Sequence, residues 1–254
     1  MEKQLFEKFN GDLVTDSMLQ DAASLFSENY GVWGEQAAET VGKFAKLGSR
    51  VRLSKELLRA NYLPDNAKCT YVKVTVNNHL AGNVFSCIWT VDTKRICWVT
   101  QLVVDGDYRE RGLASALLSQ LKEEDIDAYG VMSSHPAACL AAAKAFGHSI
   151  STLQFDFMKR NAQVIMEASP IKYVKDANIC GSLFTNEESN GLVSSVNTRF
   201  FVDHGEPLEA LARVQEELDW PLGKLLDGHE FLLIIEARRR FFSRSLSASR
   251  RTKV

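Results

Sequence analysis

A chain of 254 residues, 45% hydrophobic and 24% charged, can bury a sizeable core in one large domain or in a catalytic domain with an appended subdomain. A formal charge of −2 excludes the basic excess of a dedicated nucleic-acid binder. The five cysteines form no CxxC pair and the five histidines no HxxxH or HExxH array, which excludes a patterned disulfide framework and a recognisable metal site.

The first residues, MEKQLFEKFNGD, alternate briefly and are too charged for a signal peptide. No apolar run reaches the length of a membrane span, so the expected setting is soluble and cytoplasmic, with a nuclear location open. Thr15, Asp16 or Ser17 can cap a helix whose apolar face carries Met18, Ala22, Leu25 and Phe26, fraying between Asn29 and Gly34. A second helix is expected in VRLSKELLRANYL (51–63), ending before Pro64.

From Cys69 the apolar period becomes two. CTYVKVTV, NVFSCIWTV and RICWVTQLVV read as three strands of an antiparallel meander joined by short polar turns. LASALLSQLKEED then returns to a helical period, with Ala114, Leu117, Leu118 and Leu121 on one face. DAYGVMSS reads as a buried strand and HPAACLAAAKAFG as a helix between Pro136 and Gly147. ISTLQFDFMKR is expected to be another strand. Further on, NTRFFVDHGEPLEALARVQEELDW suggests a strand, a turn and a helix, and HEFLLIIEARRR a late strand. The basic, Ser-rich residues 241–254 read as a disordered tail. Its arginines would also suit a nuclear signal or nucleic acid.

The junction VVDGDYRERGLASALL (103–118) carries the chemistry. A helix N-terminus presents unpaired N–H groups and about half a positive charge, which attract phosphate. Gly112 and the small Ala114 let an anion approach the backbone, and Arg109 and Arg111 can add charge-assisted contacts. The arrangement suits a pyrophosphate. A Walker loop is excluded because G-x-x-x-x-G-K-[ST] is missing, and a Rossmann turn would follow an early parallel strand.

R-x-x-G-x-A at 109–114, after Val104 and Tyr108, resembles motif A of the GCN5-related N-acetyltransferases, the GNAT superfamily. The order of elements over residues 4–158 is similar too. The resemblance implies an α+β fold: a mixed, mostly antiparallel sheet flanked by helices, with a C-terminal α/β extension. Residues 1–159 would form the core and 160–240 an extension packed on it, with a late strand at 229–237. It implies acetyl-CoA as cosubstrate and no metal. Arg109, Glu110, Arg111, Gly112, Leu113, Ala114 and Ser115 would hold the pyrophosphate, and Leu102, Val103 and Val104 the pantetheine arm. A backbone N–H of Val103 or Val104 would polarise the thioester carbonyl.

One family feature is missing. Members with Y-x-x-x-G-F carry a tyrosine that protonates the leaving thiolate, and counting back from Gly147 puts Ala143 there. Water, Cys139 or Ser134 could substitute, since a thiol pKa of roughly 8.5 makes that proton worth at most about 2 kcal/mol. The motif strand also lacks the glutamate that histone-type members use. Candidate acids and bases elsewhere are Glu28, Tyr30, Asp105, His135, Asp203 and His204. The acceptor pocket would be lined by Glu28, Tyr30, Trp33 and Thr100. The same residues also suit blander roles: a solvated helix end for Glu28 and Tyr30, core for Trp33, helix caps for His135 and Asp203. The expectation is an N-acetyltransferase acting by direct amine attack, with a small-molecule amine as partner rather than nucleic acid or a membrane. A protein or peptide N-acetyltransferase and a CoA-binding regulatory module without turnover are the alternatives.

Overall fold

The computed structural model describes residues 2–185 and 190–238, so the tail at 241–254 lies outside the described residues. In chain order the elements are β1 (Gln4–Asn10), α1 (Asp16–Asn29), α2 (Ala37–Thr40), α3 (Lys55–Tyr62), β2 (Lys68–Val76), β3 (His79–Val91) and β4 (Lys94–Val104). They continue with α4 (Leu113–Ser119), β5 (Ala128–Ser133), α5 (Pro136–Ala145), α6 (Asp156–Glu167), α7 (Lys172–Lys175), β6 (Asn178–Cys180), β7 (Ser195–Asn197), α8 (Gly205–Glu217) and β8 (His229–Glu236).

Local chemistry sets most boundaries. The Thr15 hydroxyl accepts from the Met18 amide at 3.3 Å to start α1, and Ser54 accepts from Leu57 at 3.3 Å to start α3. Asn77 and Asn78, at φ +50° and +68°, make the tight turn between β2 and β3. Positive φ at both central residues matches the twist of the flanking strands, and asparagine tolerates it.

All eight strands join one sheet in the order β1-β2-β3-β4-β5-β8-β7-β6. Of its pairings only β4 with β5 is parallel, as expected of a mixed, mostly antiparallel sheet. α4, α5 and α8 bury Leu117, Leu118, Ala142 and Leu211 on one face, while α1, α3 and α6 bury Leu19, Leu58, Met158 and Ile165 on the other. With helices on both sides, the late strand can be apolar throughout, and Phe231 to Ile235 are all buried. β8 enters between β5 and β7, so residues 160–238 contribute three strands to the sheet that the earlier residues begin.

Residues 150–160 correct the sequence expectation. A single turn at Ile150–Thr152 is followed by α6 instead of a strand. Phe157, Met158, Ala162, Ile165 and Met166 bury one helical face. The helical period shows only when the residues after 160 are read with those before it.

Candidate active site

β4 pairs with β5 only from Ile96 to Val99, opposite Ala128 to Val131. Phe85 of β3 then faces Gln101 while Ser86 faces Val99, so Thr100 is an extra residue that bulges out of β4. β5 instead stays with β8 through Met132–Leu232 and Ser133–Phe231. The two parallel strands therefore part into a fork. Just below it, the Trp98 indole lies over Gly130, where an added Cβ would stand 2.2 Å from Cε3.

Alternation decides which backbone groups face the gap. The Asp105 amide donates to Ala81 of the β3 side at 3.0 Å. Counting back, Val103 and Gln101 also turn their N–H groups to β3, while Leu102 and Val104 turn theirs into the fork. Of the two amides considered for carbonyl polarisation, Val104 has this orientation and Val103 does not.

At the tip of β4, Glu110 at φ +62° and Gly112 at φ +78° curl the chain. No acceptor among the described residues takes the N–H groups of residues 110–115. Six consecutive amides are thus left free at the start of the helix, donors of the kind an anion takes. The arginines are already occupied. Arg109 donates to the carbonyls of Val104 (3.4 Å) and Asn29 (2.7 Å) and pairs with Glu206 of α8. Arg111 donates to the Asp107 carbonyl at 2.8 Å, pairs with Glu2 at 3.3 Å and stacks over Tyr108. The loop thus fits a pyrophosphate by backbone, with the arginine charge shared with carboxylates.

On the α1 face the fork is flanked by aromatic side chains, which we call the aromatic cleft. The Tyr173 hydroxyl donates to the Thr100 carbonyl at 2.7 Å, and its ring meets Tyr62 edge-on at 6.0 Å. Tyr30 stacks on Phe26 at 4.3 Å and touches Phe200, which also meets Trp33 at 5.3 Å. Residues 200–203 roof this side: Gly34 donates to Phe201 and Asp203 donates to Val32, each at 2.9 Å. Gln101 shares the cleft face with Val103, and neither end of its buried amide completes a hydrogen bond.

Glu230 opens β8 on the same face as Leu232 and Ile234. Burial pushes its carboxyl up to about 7, against a hydrogen bond from Thr198 that favours the charged form. Its charge reaches Tyr30, Tyr62, Tyr173 and Cys139. Burial raises all three phenols, Tyr62 to about 12 and Tyr30 and Tyr173 well above the usual range, so they stay protonated. These side chains are deep in the molecule yet only half-buried, as groups lining a cleft should be.

The expected site residues separate into groups. Tyr30 and Trp33 both meet Phe200, Thr100 is bonded through its carbonyl to Tyr173, and Leu102, Val104 and residues 110–115 follow one another along the end of β4 and the loop after it. Glu28 points away into an exterior groove with Arg50 and Arg52. His135 caps α5, accepting from Ala137 at 3.2 Å, and its Nε2 lies 3.8 Å from Glu206. Burial lowers its pKa, opposed by Glu206 and aided by Arg109 and Arg213. Ser134 is half-buried in the same β5–α5 loop. Cys139 is fully buried on α5, and burial pushes its thiol up to about 12, which keeps it protonated. Asp105 is pushed up by burial, but His79 at 3.0 Å and the Asp107 amide outweigh this and hold it below the ordinary range. Asp203 accepts from the Gly205 amide at 3.0 Å. His204 is buried, and burial lowers its pKa. Ala143 sits in the core.

Sequence reasoning missed Tyr62, Tyr173, Glu230 and Gln101. Only Glu230 had a local signal, as a carboxylate at the mouth of an otherwise apolar strand.

Residues 36–147 match the Acetyltransferase (GNAT) family. Similar solved structures include the ribosomal-protein-S18-alanine N-acetyltransferase from Escherichia coli: 13% identity, 57% of this chain, 77% of that one, TM-score 0.39. An aminoglycoside acetyltransferase from an uncultured soil metagenomic sample is 17% identical over 61% of this chain and 97% of its own, with TM-score 0.39. A GNAT-family acetyltransferase from Streptococcus pneumoniae is 14% identical over 56% and 83%, with TM-score 0.38. No curated protein matches the chain.

Proposed function

We propose, from the match of residues 36–147 to the GNAT acetyltransferase family, that the chain transfers an acetyl group from acetyl-CoA to the primary amine of a small molecule. The free amides of 110–115 would receive the pyrophosphate, and the fork-facing groups of Leu102 and Val104 the pantetheine arm. The amine nitrogen would attack the thioester carbonyl carbon, whose oxygen meets the Val104 amide. The C–N bond forms, the C–S bond breaks, and sulfur leaves with the bonding pair. Glu230 takes the first proton of the ammonium and releases it to solvent, and the proton that nitrogen loses as the C–N bond forms ends on the thiolate, relayed through Tyr173 or water. Holding both reactants in one fork supplies the alignment.

The observation that carries this reading is the Glu230 carboxyl in an aromatic cleft at the fork, beneath the roof of 200–203. A roofed cleft favours a small acceptor over a folded protein. Release of CoA thiol with a panel of small amines and of peptides tests it: turnover with free amines is expected, and turnover with peptides alone overturns it. The second reading, a CoA-binding module without turnover, draws on Ala143 and on the pairing of Arg109 and Arg111 with carboxylates. CoA binding without thiol release across the panel would favour it.

A further inference from the structure

The cleft has an uneven charge inventory. Glu230 is its acid, and it makes no ion pair with a lysine, arginine or histidine among the described residues. Among the same residues, the only side-chain charges and dipoles that move Tyr30, Tyr62 and Tyr173 come from one another, Glu230, Cys87 and Gln101. A buried carboxylate without a cation is costly, and an entering ammonium would relieve that cost. Phenol rings around it add the attraction of aromatic faces for a cation. Trp33, Phe200 and Phe26 extend the wall with apolar surface. The remaining polar groups, the Gln101 amide and the Thr100 hydroxyl, are buried and uncharged. The cation nearest the fork, Arg109, which reaches the carbonyls of Val104 and Asn29, is already paired with Glu206 and not with a ligand.

We infer that the acceptor is a cationic amine on an aromatic or apolar body that carries no carboxylate, its ammonium seated against Glu230 among Tyr30, Tyr62 and Tyr173. A free amino acid would bring its carboxylate close to Glu230, into a site whose nearest cation is already paired with Glu206, and be rejected by like-charge repulsion. The inference rests on the reading of this cleft as the acceptor site.

Two measurements on the full chain test it. In the first, thiol release from acetyl-CoA is compared for 2-phenylethylamine and for phenylalanine, which differs by the carboxylate alone. The amine should exceed the amino acid by at least about 100-fold in kcat/KM. Equal turnover overturns the inference and leaves acetyl transfer standing. The second uses phenethyltrimethylammonium, which cannot be acetylated, titrated by tryptophan fluorescence. Binding is expected, weakened about tenfold or more by Glu230→Gln. Tyr62→Leu, which keeps the carboxyl, should weaken it also and serves if Glu230→Gln folds poorly. No binding, or binding indifferent to both substitutions, overturns the inference. Glu230-dependent binding without turnover of any amine supports this ligand class while the transfer reading fails.

Discussion

The phenol of Tyr173 donates a 2.7 Å hydrogen bond to the carbonyl of Thr100, the residue that the β4 bulge adds where β4 and β5 part. Tyr173 belongs to α7, 30 residues beyond Ala143, the position where the family pattern carries its tyrosine. A hydroxyl thus reaches the fork from a different element and the opposite face of the sheet. Tyr173→Phe should keep the fold and lower kcat by about tenfold to thirtyfold, the most that protonating a thiolate is worth near neutral pH. The donor KM should hardly move. An unchanged kcat, measured with a saturating amine, would reduce Tyr173 to a packing role.

Glu230 makes both activity and stability depend on pH. Its folded-state value of about 7 lies above the ordinary 4.5. The folded protein therefore retains a proton that the unfolded chain has already lost between these values, so this group makes stability fall as pH rises from about 4.5 to 7 and adds no further loss above. The full difference is on the order of 3 kcal/mol. Denaturant titrations of Glu230→Gln should lose this slope and show greater stability than the parent at pH 8. Amine turnover in the parent should climb through about pH 7 as the carboxylate forms.

Arg109 is shared between the donor loop and Glu206. A phosphate and a carboxylate compete for the same guanidinium, so Glu206→Gln should tighten CoA binding by about twofold to fivefold, the worth of a partly exposed ion pair. Calorimetric titration with CoA reads this directly. Weaker binding would mean instead that Glu206 holds Arg109 in place for the donor.

Gly112 tests the loop in two steps. No atom lies within 4 Å of an added Cβ, so Gly112→Ala meets only the strain of φ +78°, about 1 kcal/mol in stability. Gly112→Asp adds a negative charge among the six free amides and should raise the CoA Kd by at least about 100-fold through like-charge repulsion. Unchanged affinity in that variant would remove the donor site from this loop.

Gly130→Ala should fail for a different reason. Its Cβ would meet the fully buried Trp98 at 2.2 Å, and the sheet leaves the indole nowhere to go. Overpacking of this kind costs about 1–3 kcal/mol or more, visible as a lower denaturation midpoint. A midpoint equal to the parent's would show that the strands can separate there without penalty.

Alternation between Lys68 and Val104 and the apolar period of α4 are local patterns, and they made the meander and the loop between β4 and α4 legible without coordinates. The strand expected at 150–160 failed because a short apolar stretch suits either period, and α6 only declares itself over its whole length. Residue types and their neighbours along the chain thus determined the fold class and the strand–turn–helix junction that holds Gly112. The grouping proposed for the acceptor was decided by tertiary structure alone. Tyr30, Tyr62, Tyr173 and Glu230 come from four elements spread over 200 residues, and each alone reads as an ordinary helix or strand residue. What turns them into a site is the insertion of β8 beside β5 and the parting of β4 from β5. Burial and mutual charge then shift their protons, and neither effect exists until the chain has folded.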